Sequence, residues 1–144
     1  MIPAFEHIFM GQSLYESYVM PVCKAYGLTY MEFTVLMFLQ NNPKYDTAAQ
    51  LVKIRRFSKS HVSMSVKGLI EKNLVTGVYY PGNQKTLHLH LTEKANSIIE
   101  AGIKAQRAFG AMLVQGFSQE EVEQLQYLTE KLHDNMKREG NEHG

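Results

Sequence analysis

The stretch from Ser58 to Asn73 constrains the fold of this chain more than any other. Within it Val62, Val66, Leu69 and Ile70 recur at i, i+4, i+7 and i+8, a spacing that gathers them on one side of an α-helix. That side has to be buried, so other elements must cover it. The opposite side carries Lys59, Ser60, Ser63, Met64 and Lys67, short or basic side chains that fit between a helix and the floor of a DNA groove. Asn73 tolerates the left-handed conformation that ends a helix, and Leu74-Val75 opens a segment of β character. The stretch reads as a recognition helix, with the rest of the chain built to hold, aim and pair it.

The flanking sequence supplies the supporting elements in order. Phe5, Ile8, Phe9, Tyr15, Val19, Val22 and Tyr26 follow a helical period, and Pro21 predicts a kink or break near Met20 because it removes a backbone donor. This first helix is too apolar to stand alone and is expected to pack against another chain. Thr29 with Glu32 forms a capping box, stapled by Leu28 and Phe33, and starts a second helix that ends at Asn41-Asn42-Pro43. Thr47 with Gln50 starts a short third helix that stops before Phe57-Ser58. Helix, short helix, tight connection and recognition helix together make a helix-turn-helix. After it, Pro81-Gly82-Asn83 is turn chemistry, and the alternation of Leu87, Leu89 and Leu91 with His88 and His90 is a strand with one buried face. Two such strands form a wing. Thr92 is expected to cap a long helix through Leu113, and Ser118 with Glu121 a last one, with a frayed polar tail from Arg138.

Composition enters through its distribution. The chain of 144 residues, 44% of them apolar, is sized for one domain with a real core. Its net charge is only +1, yet from Asp46 to Lys94 eight basic residues face three acidic ones, while both flanks are neutral to acidic. A basic middle carried on such flanks is the footprint of a phosphate-facing module. The first ten residues lack the basic region of a signal peptide, and no apolar run approaches the roughly 18 residues that span a bilayer, so a cytoplasmic location and no membrane partner are expected. A lone Cys23 excludes an intrachain disulfide and a cysteine-cluster zinc site, and leaves open one disulfide between two copies of the chain.

With the wing placed, the arrangement resembles the MarR family of bacterial winged-helix transcriptional regulators over almost the whole chain. The residues that carry the resemblance are Leu28-Thr29-Tyr30-Met31-Glu32-Phe33, Ser58-Lys59-Ser60-His61-Val62-Ser63, Leu69-Ile70-Glu71-Lys72-Asn73-Leu74-Val75 and Leu87-His88-Leu89-His90-Leu91-Thr92. It implies one MarR-like domain, mainly α: a winged helix-turn-helix with a small β wing over residues 28–92, plus N- and C-terminal dimerisation helices over residues 1–27 and 93–138. It also implies a homodimer with interlocked terminal helices that binds double-stranded DNA at a pseudo-palindromic operator, most simply as a repressor. Two positions depart from the family pattern. Asn83-Gln84-Lys85 stands where family wings commonly carry Asp-x-Arg, and lysine keeps the charge but loses the planar fork. Asn73 stands where the family usually has glycine.

Candidate site residues follow. Lys59 and Lys67 are expected on phosphates, and Ser60, His61, Ser63 and Met64 on base edges, with Ser58 at the helix start. Arg55 and Arg56 either bind phosphate or brace the fold, and Asn83 and Lys85 form the wing tip. The dull alternative is an amphipathic helix with a solvated face. Tyr15, Tyr18, Tyr26, Met31 and Phe38 are candidates to line a pocket for a small aromatic or lipophilic effector, or else are plain core. Cys23 is a redox candidate, but it lies only five residues before Leu28, whereas the peroxide-sensing branch of the family has its cysteine well before that motif; a buried structural thiol is the alternative. His88 and His90 share a strand face, yet no nearby carboxylate or cysteine completes a ligand set, so no metal or other cofactor is assigned. No acid–base pair, phosphate-cradling loop or nucleophile motif suggests an enzyme. The rival functions are a winged-helix protein-interaction adaptor without DNA binding, and a redox or metal sensor of the same fold.

Overall fold

The computed structural model describes the backbone of residues 4–143 and, outside residues 4, 5, 8, 9 and 141–143, their side chains as well. Phe5, Ile8 and Phe9 of the first helical pattern lie outside the described side chains. The element order is α1 (Ala4–Tyr26), α2 (Tyr30–Asn41), α3 (Ala48–Arg55), α4 (Lys59–Glu71), β1 (Val75–Tyr80), β2 (Asn83–Leu91), a 3-10 turn (Glu93–Ala95), α5 (Asn96–Leu113) and α6 (Gln119–His143). The fold is a mainly α winged helix. Two compact units divide the chain, Met1–Phe109 and Gly110–Gly144, so the boundary falls inside α5.

The first unit is organised around α2. Every residue from Met31 to Leu39 is buried, so this helix is covered all round, as a helix with apolar residues on every face must be. Its start is the expected capping box: Thr29 Oγ1 accepts from the Glu32 amide at 3.0 Å, and Glu32 Oε1 accepts from the Thr29 amide at 2.9 Å. The core joins Val19 and Cys23 of α1, Phe33, Val35 and Leu36 of α2, Leu51 of α3, Val62 and Leu69 of α4, and Ile98 and Ile99 of α5. Helix α5 approaches α2 closely at Gly102, where an added Cβ would meet Met37 Sδ at 2.6 Å and the Phe33 ring at 3.0 Å. No buried side-chain nitrogen or oxygen among the described residues lacks a partner.

Several local expectations are corrected. Helix α1 continues through Pro21 to Tyr26, so the chain does not break near Met20. Thr92 does not cap the next helix with its side chain; its hydroxyl donates to the Asn73 carbonyl at 2.7 Å, and a 3-10 turn precedes α5. The wing turn is shorter than predicted, since Asn83 already begins β2. His88 is not on an open polar face. It is half-buried, its Nδ1 lies 2.8 Å from Asp46 Oδ2, and so a carboxylate does stand beside it.

In the second unit Ser118 and Glu121 form the predicted box, the Glu121 amide donating to Ser118 Oγ at 3.1 Å and the Ser118 amide to Glu121 Oε1 at 2.9 Å. Helix α6 then continues to His143. Leu125, Leu128, Leu132 and Met136 recur along it at helical spacing and are 40–64% exposed. No single helix among the described residues is long and apolar enough to cross a membrane.

Candidate nucleic-acid interface

Helix α4 is held from three sides. At its N-terminus, α3 begins on a second capping box, with Gln50 donating its amide to Thr47 Oγ1 at 3.2 Å, and ends with Arg56 in the left-handed region at φ 54°. That reversal takes the chain through Phe57 to Ser58, whose Oγ accepts from the His61 amide at 3.3 Å and starts α4. The Arg55 guanidinium sits 5.1 Å over the Phe57 ring, which gives it a bracing contact while it stays exposed. Along its inner side Val62 and Leu69 are fully buried and Val66 nearly so, as the period predicts, while Ile70 is half-buried. Ser65 also lies inward and donates to the His61 carbonyl at 3.0 Å.

At the other end, Lys72 Nζ donates to both oxygens of the buried Glu32 at 2.8 and 3.0 Å and to the Gly27 carbonyl at 3.0 Å. Burial alone would raise the Glu32 carboxyl. The Lys72 hydrogen bond, the Thr29 amide and the attraction of the Lys72 ammonium outweigh it and hold the group below its ordinary value. Gly68 makes this possible, because a Cβ there would overlap the Glu32 carboxylate. Asn73 takes the left-handed conformation at φ 61°, and the Leu74 amide closes on the Leu69 carbonyl at 3.0 Å.

With its inner side fixed, α4 turns the whole candidate face outward: Lys59, Ser60, His61, Ser63, Met64 and Lys67 are all exposed. Ser60 Oγ lies 3.0 Å from Ser58 Oγ, so its hydroxyl is partly engaged at the helix start. Arg55, Arg56 and Ser58 are exposed beside this face.

The wing stands next to it. β1 and β2 pair antiparallel with Val75 opposite Leu91 and Tyr79 opposite Leu87, and the register shifts so that Tyr80 faces Asn83. Asn83 Oδ1 accepts from the Lys85 amide at 3.1 Å and the Thr86 amide at 3.3 Å, which shapes the tip and leaves Lys85 exposed. The root of the wing is tied to the start of α3. The Leu89 amide donates to the Asp46 carbonyl at 2.7 Å, the Asp46 carboxylate meets His88, and the Tyr80 ring stacks on His88 at 4.0 Å. Between α3, the flank of α4 and β2 lies a groove of about 620 Å³, lined by Ser63, Val66, Lys67, Ile70, Lys85 and Leu87 among others. Two exposed cations thus border an apolar channel. The arrangement has a helix and a hairpin side by side, with basic side chains on both, which is the geometry needed to track a duplex groove and its phosphates.

Residues 26–78 match the MarR family model. That match covers the helix-turn-helix and ends within β1. Over this segment the chain is similar to the MarR family. The whole chain also has the fold of solved MarR-family structures. A MarR-family transcriptional regulator from Listeria monocytogenes, complexed with 26mer DNA, superposes with a TM-score of 0.85 at 20% identity, over 97% of this chain and 93% of that one. A MarR protein from Peptoclostridium difficile gives 0.82 at 18% identity over 100% and 97%. The transcriptional regulator SlyA gives 0.83 at 16% identity over 97% and 98%. No curated protein matches the chain by sequence.

Within this MarR-type fold the remaining candidates are dispersed. Tyr15 and Phe38 line a cavity of about 60 Å³ with Thr34, Met37, Arg55 and Gln106. Tyr15 and Tyr18 instead close edge-on around Phe109 at 5.3 and 5.6 Å, Tyr26 is exposed, and Met31 is buried in the core. Cys23 is fully buried, and burial pushes its thiol up despite a backbone hydrogen bond that acts the other way. Among the described residues no group of three or more His, Cys, Asp or Glu is placed to hold a metal ion. Sequence reasoning missed Asp46 as the wing anchor and Lys72 as the partner of Glu32. Each pair is separated by about 40 residues, and no local pattern announces such a contact.

Proposed function

We propose that this chain is a sequence-specific DNA-binding transcriptional regulator, a repressor, that acts as a homodimer on a pseudo-palindromic operator. The observation that carries the reading is the polarity of α4. Its Val62, Val66 and Leu69 side is sealed, while Lys59, Ser60, His61, Ser63, Met64 and Lys67 stand open on the other. Lys59 and Lys67 bind phosphates, His61, Ser63 and Met64 meet base edges, and Asn83 with Lys85 brings the wing onto the neighbouring backbone. Residues 28–92 form the DNA-binding region and residues 1–27 and 93–138 the dimerisation helices. The uncovered apolar stripe of α6 supports a second copy as its cover, because a stripe of that length is unfavourable in water. Two recognition helices then enter successive major grooves about 34–36 Å apart. A small aromatic or lipophilic effector would enter beside Tyr15 and Phe38, where the cavity of about 60 Å³ has to widen to admit it.

The test is duplex binding by the purified protein across a range of salt concentrations. Removing a phosphate-binding ammonium with Lys59→Ala weakens binding to all sequences and flattens the plot of log K against log salt by about 0.9 for each phosphate no longer neutralised. An unchanged slope removes Lys59 from the interface. Absence of duplex binding at low salt would overturn the reading and favour an adaptor that works through its helices.

A further inference from the structure

Met64 is the most exposed of the large apolar side chains in the described residues, at 72%. The exposed apolar residues of α6 run in a stripe, whereas Met64 stands on α4 among polar side chains. It lies on the outer side of α4 with Ser60 and Lys67 about one turn away and Ser63 beside it, so its surroundings are hydroxyls and cations. Lys59 and Lys67 are eight residues apart, about 12 Å along the helix axis, and Met64 stands between them. If the two ammonium groups sit on phosphates, the side chain between them is driven toward the floor of the groove.

The major-groove edges of base pairs offer mostly hydrogen-bond donors and acceptors. Their one apolar group is the 5-methyl of thymine. Ser60 and Ser63 hydroxyls both donate and accept, and so discriminate weakly among bases. A flexible thioether chain donates no hydrogen bond and accepts only weakly, so it gains more from displacing water against a methyl. We propose that Met64 is a specificity-determining residue that reads a thymine 5-methyl group in each operator half-site. The inference rests on the DNA-binding reading above and adds to it the chemical group that the middle of α4 recognises.

The experiment uses the full-length protein and the duplex it selects from a random pool. Each thymine of a half-site is replaced in turn by deoxyuridine, which removes the methyl and keeps every hydrogen bond. The expected result is one position per half-site at which the replacement weakens binding about fourfold, and roughly tenfold or more when both half-sites are changed. Met64→Ala binds the thymine and deoxyuridine duplexes equally, whereas Met64→Leu retains most of the difference. The inference is overturned if no thymine responds to loss of its methyl, or if the response persists in Met64→Ala. If the protein selects no duplex at all, the DNA-binding reading itself has failed.

Discussion

Replacing Gly68 with alanine tests how the recognition helix is held. In an ordinary exposed helix the change stabilises by about 1 kcal/mol, because alanine loses less backbone entropy than glycine. Here the new methyl collides with the Glu32 carboxylate, which is pinned by Lys72 at 2.8 and 3.0 Å and by the Thr29 amide at 2.9 Å. Breaking a buried pair by removing one partner costs about 3–5 kcal/mol. The Lys72 side chain is 41% exposed and regains water when released, so the loss is smaller, about 2–3 kcal/mol. Set against the helix gain, Gly68→Ala lowers stability by about 1–2 kcal/mol. In a Glu32→Ala background the space is open, and the same substitution raises stability by about 1 kcal/mol. The sign reverses, giving a coupling of about 2–3 kcal/mol in a double-mutant cycle. Urea denaturation at one fixed protein concentration, with unchanged m, reads the four midpoints. If Gly68→Ala is stabilising in both backgrounds, or equally destabilising in both, the Glu32–Lys72 pair does not constrain α4.

Further outcomes follow from the same geometry. Because the folded Glu32 carboxyl lies below its ordinary value of 4.5, its contribution is complete above that value and is lost as pH falls through the lower folded one; Glu32→Gln should flatten the stability loss as pH falls below 4.5. A variant with the same acid sensitivity as wild type would locate that loss elsewhere. Val66→Lys places an unpaired charge at a site only 6% exposed and should unfold the winged helix, seen as a lost cooperative melt; a normal melt would mean that the inner side of α4 is misassigned. Cys23 should react with a thiol reagent at least about a hundredfold more slowly in the native protein than in urea, and similar rates would show that the thiol is accessible after all.

Much of this molecule was legible in the chain because its signals are local. The three capping boxes at Thr29, Thr47 and Ser118 form as spaced, since each needs only four consecutive residues. The inner and outer sides of α4 follow from the helical period, and the left-handed Asn73 from its residue type. Pro21 shows the limit of that logic. A missing backbone donor need not end a helix, and whether it does depends on surroundings that the local sequence does not show.

By itself the sequence determined where helices start, which side of α4 must be buried, and that a single hairpin follows it. It did so because capping, periodicity and turn chemistry act within one or two turns of chain. The tertiary structure alone decided what fixes those elements to one another: Lys72 reaching back to Glu32 across Gly68, and Asp46 gripping His88 at the root of the wing. A contact between residues about 40 positions apart depends on how the intervening chain packs, and that is set by the whole core at once.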